Sequence, residues 1–199
     1  MKNMNLPNKL TILRVAMVPV FMLFMFWQVK HNYLYAFIIF ALASLTDMAD
    51  GKIARKYHLI TNFGKFMDPL ADKILTMSAF ISLIPIAASL GAGTLFVVAV
   101  TIIISRELAV TGFRILAADN QVVIAADIWG KIKTAMQMVW ICYTLLFLWI
   151  TKEFTIANNT VVSILVGIFY YGIIALTVVT FISGARYIIN NKKILTDAK

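Results

Sequence analysis

Apolar residues dominate this chain in long runs, and short polar or glycine- and proline-containing stretches punctuate them. Six runs can be traced, at about residues 8–28, 34–57, 63–89, 93–117, 124–151 and 159–190. At a helical rise of about 1.5 Å per residue, each can cross a hydrocarbon core of about 30 Å, several with length to spare. The pattern therefore predicts an all-α integral membrane protein with six transmembrane helices, some projecting beyond the bilayer. It is read as a single membrane domain over residues 1–199. Pro7-Asn8 marks a helix start with Asn8 as its N-cap, and Pro19 predicts a kink in the first helix. The run at 90–93, Leu-Gly-Ala-Gly, predicts a tight turn. No internal repeat or low-complexity tract interrupts this layout.

Polar residues inside the runs carry the chemistry. The chain is 61% hydrophobic with nine acidic residues, yet four of the nine fall within residues 47–72. That stretch reads D-M-A-D-G-K-I-A-R, eight further residues, then G-K-F-M-D-P-L-A-D. On a helix Asp47, Asp50, Gly51 and Ala54 share one face, and Gly64, Asp68 and Asp72 share another. Two such faces can meet in one site. An ionised aspartate at mid-membrane costs about 2.5–3.5 kcal/mol. A cluster of them, with mutual repulsion added, requires positive charge. Divalent cations suit clustered carboxylate oxygens, and magnesium favours oxygen ligands with phosphate companions.

The net charge of +9 is unevenly distributed. With both termini and the connections after the second and fourth runs on one side, that side holds all the lysines and arginines except Lys30 and Lys152. This places the carboxylate cluster on the cytoplasmic face. The excess fits an anionic leaflet or anionic substrates, and no basic stripe interleaved with exposed aromatics points to nucleic acid. The lone Cys142 excludes a disulfide framework or thiolate metal site. His58 has no second histidine nearby and takes no metal role. The N-terminus lacks an A-x-A cleavage signal, so its first run reads as a retained helix.

Two further segments bear on chemistry. S-R-E-L-A-V-T-G-F-R closes the fourth run and W-G-K-I-K-T-A-M-Q-M opens the fifth, bringing Arg106, Arg114, Lys131 and Lys133 to neighbouring helix ends. Such cations suit a phosphate monoester. Anchoring to the inner leaflet is the alternative, although Arg106 follows I-I-I-S and stays within the apolar run. In the first run Thr11 and Arg14 share a face, and Arg14 either snorkels to headgroups or meets a phosphate.

The acidic stretch matches D-x2-D-G-x2-A-R-x8-G-x3-D-x3-D at every fixed position and so resembles the CDP-alcohol phosphotransferase family. The length, the six-span layout and the segment P-N-K-L-T-I-L-R fit as well, and the flanking segments resemble the bacterial branch that makes phosphatidylglycerophosphate. The resemblance implies transfer of the phosphatidyl group from CDP-diacylglycerol to sn-glycerol 3-phosphate with release of CMP. It implies that Asp47, Asp50 and Asp68 ligate two divalent ions, Mg2+ or Mn2+, and that Asp72 is the general base. Gly51, Ala54 and Gly64 would admit the nucleotide and Arg55 its phosphates. Asn8, Thr11 and Arg14 are further candidates on the CDP side. Arg106, Arg114, Lys131 and Lys133 are candidates for the acceptor phosphate. A multi-pass protein of a bacterial plasma membrane, working as a homodimer, is the expected setting. Two rivals stand beside this reading: the same chemistry on another acceptor such as inositol phosphate, and a divalent-cation transporter.

Overall fold

A computed structural model describes residues 6–56, 62–119, 128–154 and 159–191; the side chains of 6–8, 47–56, 62–69, 72, 116, 118, 119 and 159 are not among those described. Six helices lie among the described residues: α1 (Leu6–Phe26), α2 (Asn32–Lys56), α3 (Asn62–Ser89), α4 (Gly93–Asp119), α5 (Ile128–Glu153) and α6 (Asn159–Asn190). Each apolar run has become one helix. The start of α1 differs from expectation. Residues 6–8 are already helical, so Asn8 lies within α1 and does not cap it. Pro19 lies inside α1.

Four segments among the described residues are long and apolar enough to cross a membrane: Lys9–Phe26, Gly93–Ile115, Ile128–Glu153 and Thr160–Asn190. In α2 and α3 the corresponding apolar stretches are shorter, Asn32–Thr46 and Lys73–Ser89. The remainder of each of those two helices carries the acidic motif.

The chain packs as two compact units, Met1–Leu83 with Ile141–Val162, and Ile84–Trp140 with Ser163–Lys199. In the first unit, α1 and α2 pack through Phe21 on Phe40 (ring centroids 6.1 Å apart) and Phe24 on Tyr35 (5.3 Å). The turn between them is held by polar contacts to the end of α5. His31 adopts a left-handed backbone, φ 57°, and its N–H donates to Glu153 Oε1 at 2.8 Å. Trp149 Nε1 donates to His31 Nδ1 at 3.1 Å, and Lys152 Nζ donates to Asn32 Oδ1 at 2.8 Å. Asn32 in turn donates to the Phe24 carbonyl, closing the turn onto α1.

In the second unit the α3–α4 turn has the expected form. Gly91, at φ 81°, donates its N–H to the Ala88 carbonyl, and the Ala92 N–H reaches the Ala87 carbonyl. This paired arrangement satisfies two otherwise orphaned carbonyls at the end of α3 and favours glycine at the left-handed position. Phe96, Trp140 and Phe169 form the aromatic centre, with Phe96–Phe169 centroids 5.7 Å apart and Trp140–Phe169 centroids 5.4 Å apart. Gly172 is what lets the indole in: a Cβ there would lie 2.5 Å from Trp140 Cδ1 and Nε1. Gly172→Ala is therefore expected to destabilise the unit by about 1–3 kcal/mol, the usual cost of overpacking. Gly167→Ala, whose added Cβ meets nothing within 4 Å, is the control. Thermal melts of the purified protein in detergent, followed by tryptophan fluorescence, check this; matching melts of the two variants would refute the close approach.

Candidate functional site

The acidic motif is helical on both sides of its connection. Asp47, Asp50, Gly51, Ala54 and Arg55 occupy the last third of α2, and Gly64, Asp68 and Asp72 the first half of α3, all within one unit. The helical spacing that puts Asp47 one turn from Asp50, and Asp68 one turn from Asp72, is thus present in the backbone. The side chains of these four aspartates, and of Asn8, Ala54 and Arg55, lie outside the described residues. As a donor set, four carboxylates suit a hard divalent cation.

The apolar part of α2 runs up to the motif with its polar atoms satisfied locally. Ser44 Oγ donates to the Phe40 carbonyl at 2.8 Å and Thr46 Oγ1 to the Ala43 carbonyl at 2.7 Å. In the same unit Thr11 and Arg14, one turn apart on α1, are each only 1% exposed. Burial separates the two readings of Arg14. An arginine that snorkels would keep its head at the surface, and this one is enclosed by protein.

The second unit gathers the cations of α4 and α5. The α4 run Ile102–Ile104 leads into Ser105, Arg106 and Glu107, and Glu107 is buried within it. Lys133 of α5, 3% exposed, donates to Glu107 Oε1 in a buried ion pair. Gln137, one turn further along α5, donates to the same oxygen at 3.4 Å. Arg106 NH1 stands 3.6 Å from it. The other end of that guanidinium turns to α6, where NH2 donates to Ser183 Oγ at 2.9 Å. Two turns beyond Arg106, Arg114 is exposed; its Nε donates to Tyr187 Oη at 3.3 Å and its guanidinium lies over the same ring. Lys131 is exposed at the start of α5.

Of the four cations expected around an acceptor phosphate, Arg106 and Lys133 are thus drawn together by one carboxylate. Arg114 is held by Tyr187, and Lys131 stays at the surface. Sequence reasoning gave no role to Glu107, Gln137, Ser183 or Tyr187. For Glu107 a signal existed: it is the only acid between Asp72 and Asp119, set in an apolar run beside an arginine. The others are polar residues in apolar helices whose partners lie far away in sequence.

Comparison with known proteins identifies the family. The family pattern described as CDP-alcohol phosphatidyltransferase matches residues 4–182. A protein of Bacillus subtilis (strain 168), named CDP-diacylglycerol–glycerol-3-phosphate 3-phosphatidyltransferase, is 44% identical over 147 residues, 68% of this chain and 73% of that protein. A protein of Rickettsia bellii (strain RML369-C) with the same name is 39% identical over 134 residues, 67% of this chain and 71% of its own length. A Mycobacterium tuberculosis (strain CDC 1551 / Oshkosh) protein, named a probable phosphatidylglycerophosphate synthase, is 45% identical over 138 residues, 68% of this chain and 63% of its own. The chain belongs to the CDP-alcohol phosphatidyltransferase family. It is an enzyme of the membrane phosphatidyltransferase class.

The buried pair generates its own prediction. Removing one partner of a buried ion pair strands the other charge and costs about 3–5 kcal/mol, whereas replacing both with neutral groups is far milder. Lys133→Met should therefore lower the melting temperature sharply, and Lys133→Met with Glu107→Gln should recover most of the loss. Melts in detergent read both, and a double variant as unstable as the single one would contradict the pairing.

Proposed function

We propose that this protein transfers the phosphatidyl group of CDP-diacylglycerol to the free primary hydroxyl of sn-glycerol 3-phosphate, giving phosphatidylglycerophosphate and CMP. The observation that carries the reading is the complete acidic motif on two consecutive helices of one unit, in a chain 44% identical to a relative named for this reaction. We read the chain as one domain of six spans in a bacterial plasma membrane, with both termini and the motif on the cytoplasmic side. The sixteen lysines and arginines assigned to that side against two on the other support this orientation.

Asp47, Asp50 and Asp68 are the residues that would hold divalent metal, two ions in our reading, with Mg2+ the expected species and Mn2+ a substitute. When bound, such ions neutralise a diphosphate and stabilise a departing phosphate. Asp72, four residues after a ligand, is left to accept the proton of the acceptor hydroxyl. The oxygen so activated bonds to the phosphatidyl phosphorus, the bond from that phosphorus to the CMP oxygen breaks, and the proton stays on Asp72 until water takes it. Phosphoryl transfer of this kind needs placement and electrostatic stabilisation more than covalent help from the protein. Arg55 meets the phosphates of the nucleotide, and the small residues Gly51, Ala54 and Gly64 leave it room. Asn8, Thr11 and Arg14 serve the CDP side, where an arginine enclosed by protein is suited to a phosphate. Arg106, Arg114 and Lys131 serve the acceptor phosphate, and Lys133 acts with them by neutralising Glu107. A phosphorylated acceptor is favoured over serine because a cationic group gains more from a phosphate monoester than from a carboxylate whose charge is balanced by its own ammonium.

The test is purified protein with labelled CDP-diacylglycerol and a panel of acceptors, glycerol 3-phosphate and inositol phosphate among them, with and without Mg2+. Activity confined to glycerol 3-phosphate and dependent on Mg2+ is expected; a preference for inositol phosphate would replace the acceptor. Asp72→Asn should abolish turnover while leaving metal and CDP-diacylglycerol binding largely intact, and a fully active variant would overturn the assignment of the base. Lys131→Ala should raise the KM for glycerol 3-phosphate several-fold, as loss of one charge-assisted contact does, with little change in that for CDP-diacylglycerol.

A further inference from the structure

Arg106 is held in place by α6 at a position where that helix has no side chain. A Cβ built on Gly184 would stand 2.6 Å from Arg106 Cγ, 3.1 Å from Nε and 3.4 Å from Cδ. The nearest of these atoms is in the stem of the arginine, close to its own helix, and cannot swing aside as the tip of a flexible side chain would. The neighbouring residue, Ser183, is buried and receives the NH2 hydrogen bond. Glu107 stands at the NH1 end. The guanidinium is thereby fixed along its length, and its Nε is buried with no hydrogen-bond partner. A buried donor left unsatisfied costs free energy, so packing alone does not account for this placement. The same side chain also borders, with Ser105, Phe181 and Gly184, an open groove of about 490 Å3 between α4 and α6.

We propose that Gly184 is a positioning residue for Arg106: the missing side chain at 184 and the Ser183 hydroxyl set the pose in which Arg106 meets the phosphate of the acceptor. This rests on the role given to Arg106 above. The site for the acceptor's phosphate monoester is then built by α6 as well as by α4 and α5, and acceptor affinity responds to a residue that carries no charge and touches no substrate.

The experiment is a double-variant cycle on the full-length protein in detergent. Initial rates are measured against glycerol 3-phosphate at saturating CDP-diacylglycerol and the reverse, for Gly184→Ala, Arg106→Ala and the pair. Where rates are too low, the affinity for glycerol 3-phosphate is read from the shift it produces in the melting curve. Gly184→Ala is expected to raise the KM for glycerol 3-phosphate about tenfold, within the range that couplings between touching residues span. The KM for CDP-diacylglycerol should stay within about twofold, and the change should add nothing in the Arg106→Ala background, since the residue it acts through is gone. Ser183→Ala introduces no clash and serves if Gly184→Ala fails to fold; it should raise the same KM about threefold, the weight of one hydrogen bond, again only while Arg106 is present. If Arg106→Ala leaves the acceptor KM unchanged, the role of Arg106 is wrong. If Arg106→Ala raises it but neither α6 variant does, or their effects persist in full without Arg106, the role of Arg106 stands and the positioning proposal is overturned.

Discussion

Glu107 receives a lysine ammonium and a glutamine amide on one carboxylate oxygen, with an arginine 3.6 Å from the same atom, inside a largely apolar helix. A carboxylate taken out of water without partners would protonate or force its helix to move, because the cost of an isolated buried charge far exceeds that of any single packing contact. Here the cost is offset by α5, which presents Lys133 and Gln137 one turn apart on one face. The rotation of α5 about its axis relative to α4 follows from that requirement. The placement of the Arg106 head follows too, since one of its ends is drawn to Glu107 while the other reaches Ser183. One carboxylate therefore fixes how two helices face each other and orients the arginine that ties α4 to α6.

Several serine and threonine hydroxyls among the described residues do nothing of the kind. Ser44, Thr101, Thr111, Thr134 and Thr177 each donate to a carbonyl four residues earlier in their own helix. Local bonding of this type satisfies a hydroxyl without reference to any neighbour, so it carries no information about which helix lies alongside. The hydroxyl of Ser183 is different because its donor comes from another helix. So is the polar group that joins His31, Trp149 and Glu153 in the other unit. In an apolar chain, where lipid tails and side chains are equally good company for one another, interhelical polar bonds and close contacts at small residues are what specify pairing. Among the described glycines, Gly172 against Trp140 and Gly184 against Arg106 are contacts of this kind.

This division explains what the sequence disclosed. The six helices were legible because each contains an apolar run, long in α1, α4, α5 and α6 and shorter in α2 and α3, and such a run is a one-dimensional property. The turn at Gly91 was legible because glycine is the residue that a left-handed helix end prefers. The spacing of Asp47, Asp50, Asp68 and Asp72 was legible because helical register is local. The expected cap at Asn8 was not one, because Asn8 is itself helical and a residue type that favours caps does not by itself place one. Gly184 gave no local sign of its role. Its partner lies on another helix, and Ser183, beside it, is separated from Arg106 by 77 residues. A glycine near the end of an apolar helix looks the same whether it faces lipid or a guanidinium. Glu107 gave only half a signal: its isolation was visible, its partners were not.

The excess of positive charge, read along the sequence, looks like a single property with a single cause. In the folded chain it separates into kinds that composition cannot tell apart. Lys131 and Lys133 are two residues apart on α5, and the helical twist turns them to different faces, one exposed and one buried on Glu107. The exposed lysine is free to answer to a leaflet or a diffusing anion. The buried one already answers to a carboxylate, and its charge is cancelled there. Arg106 combines both situations: one end is balanced by Glu107, while a neutral hydroxyl at the other end leaves the positive charge of the guanidinium only partly compensated. An arginine can be divided in this way because its charge is spread over a rigid planar fork with donors at both ends. A lysine at 106, with a single point of charge, would have to choose between Glu107 and α6. The chemical identity of residue 106, and not merely its sign, is what allows one side chain to belong to the packing of α4 against α6 while its positive charge stays only partly compensated.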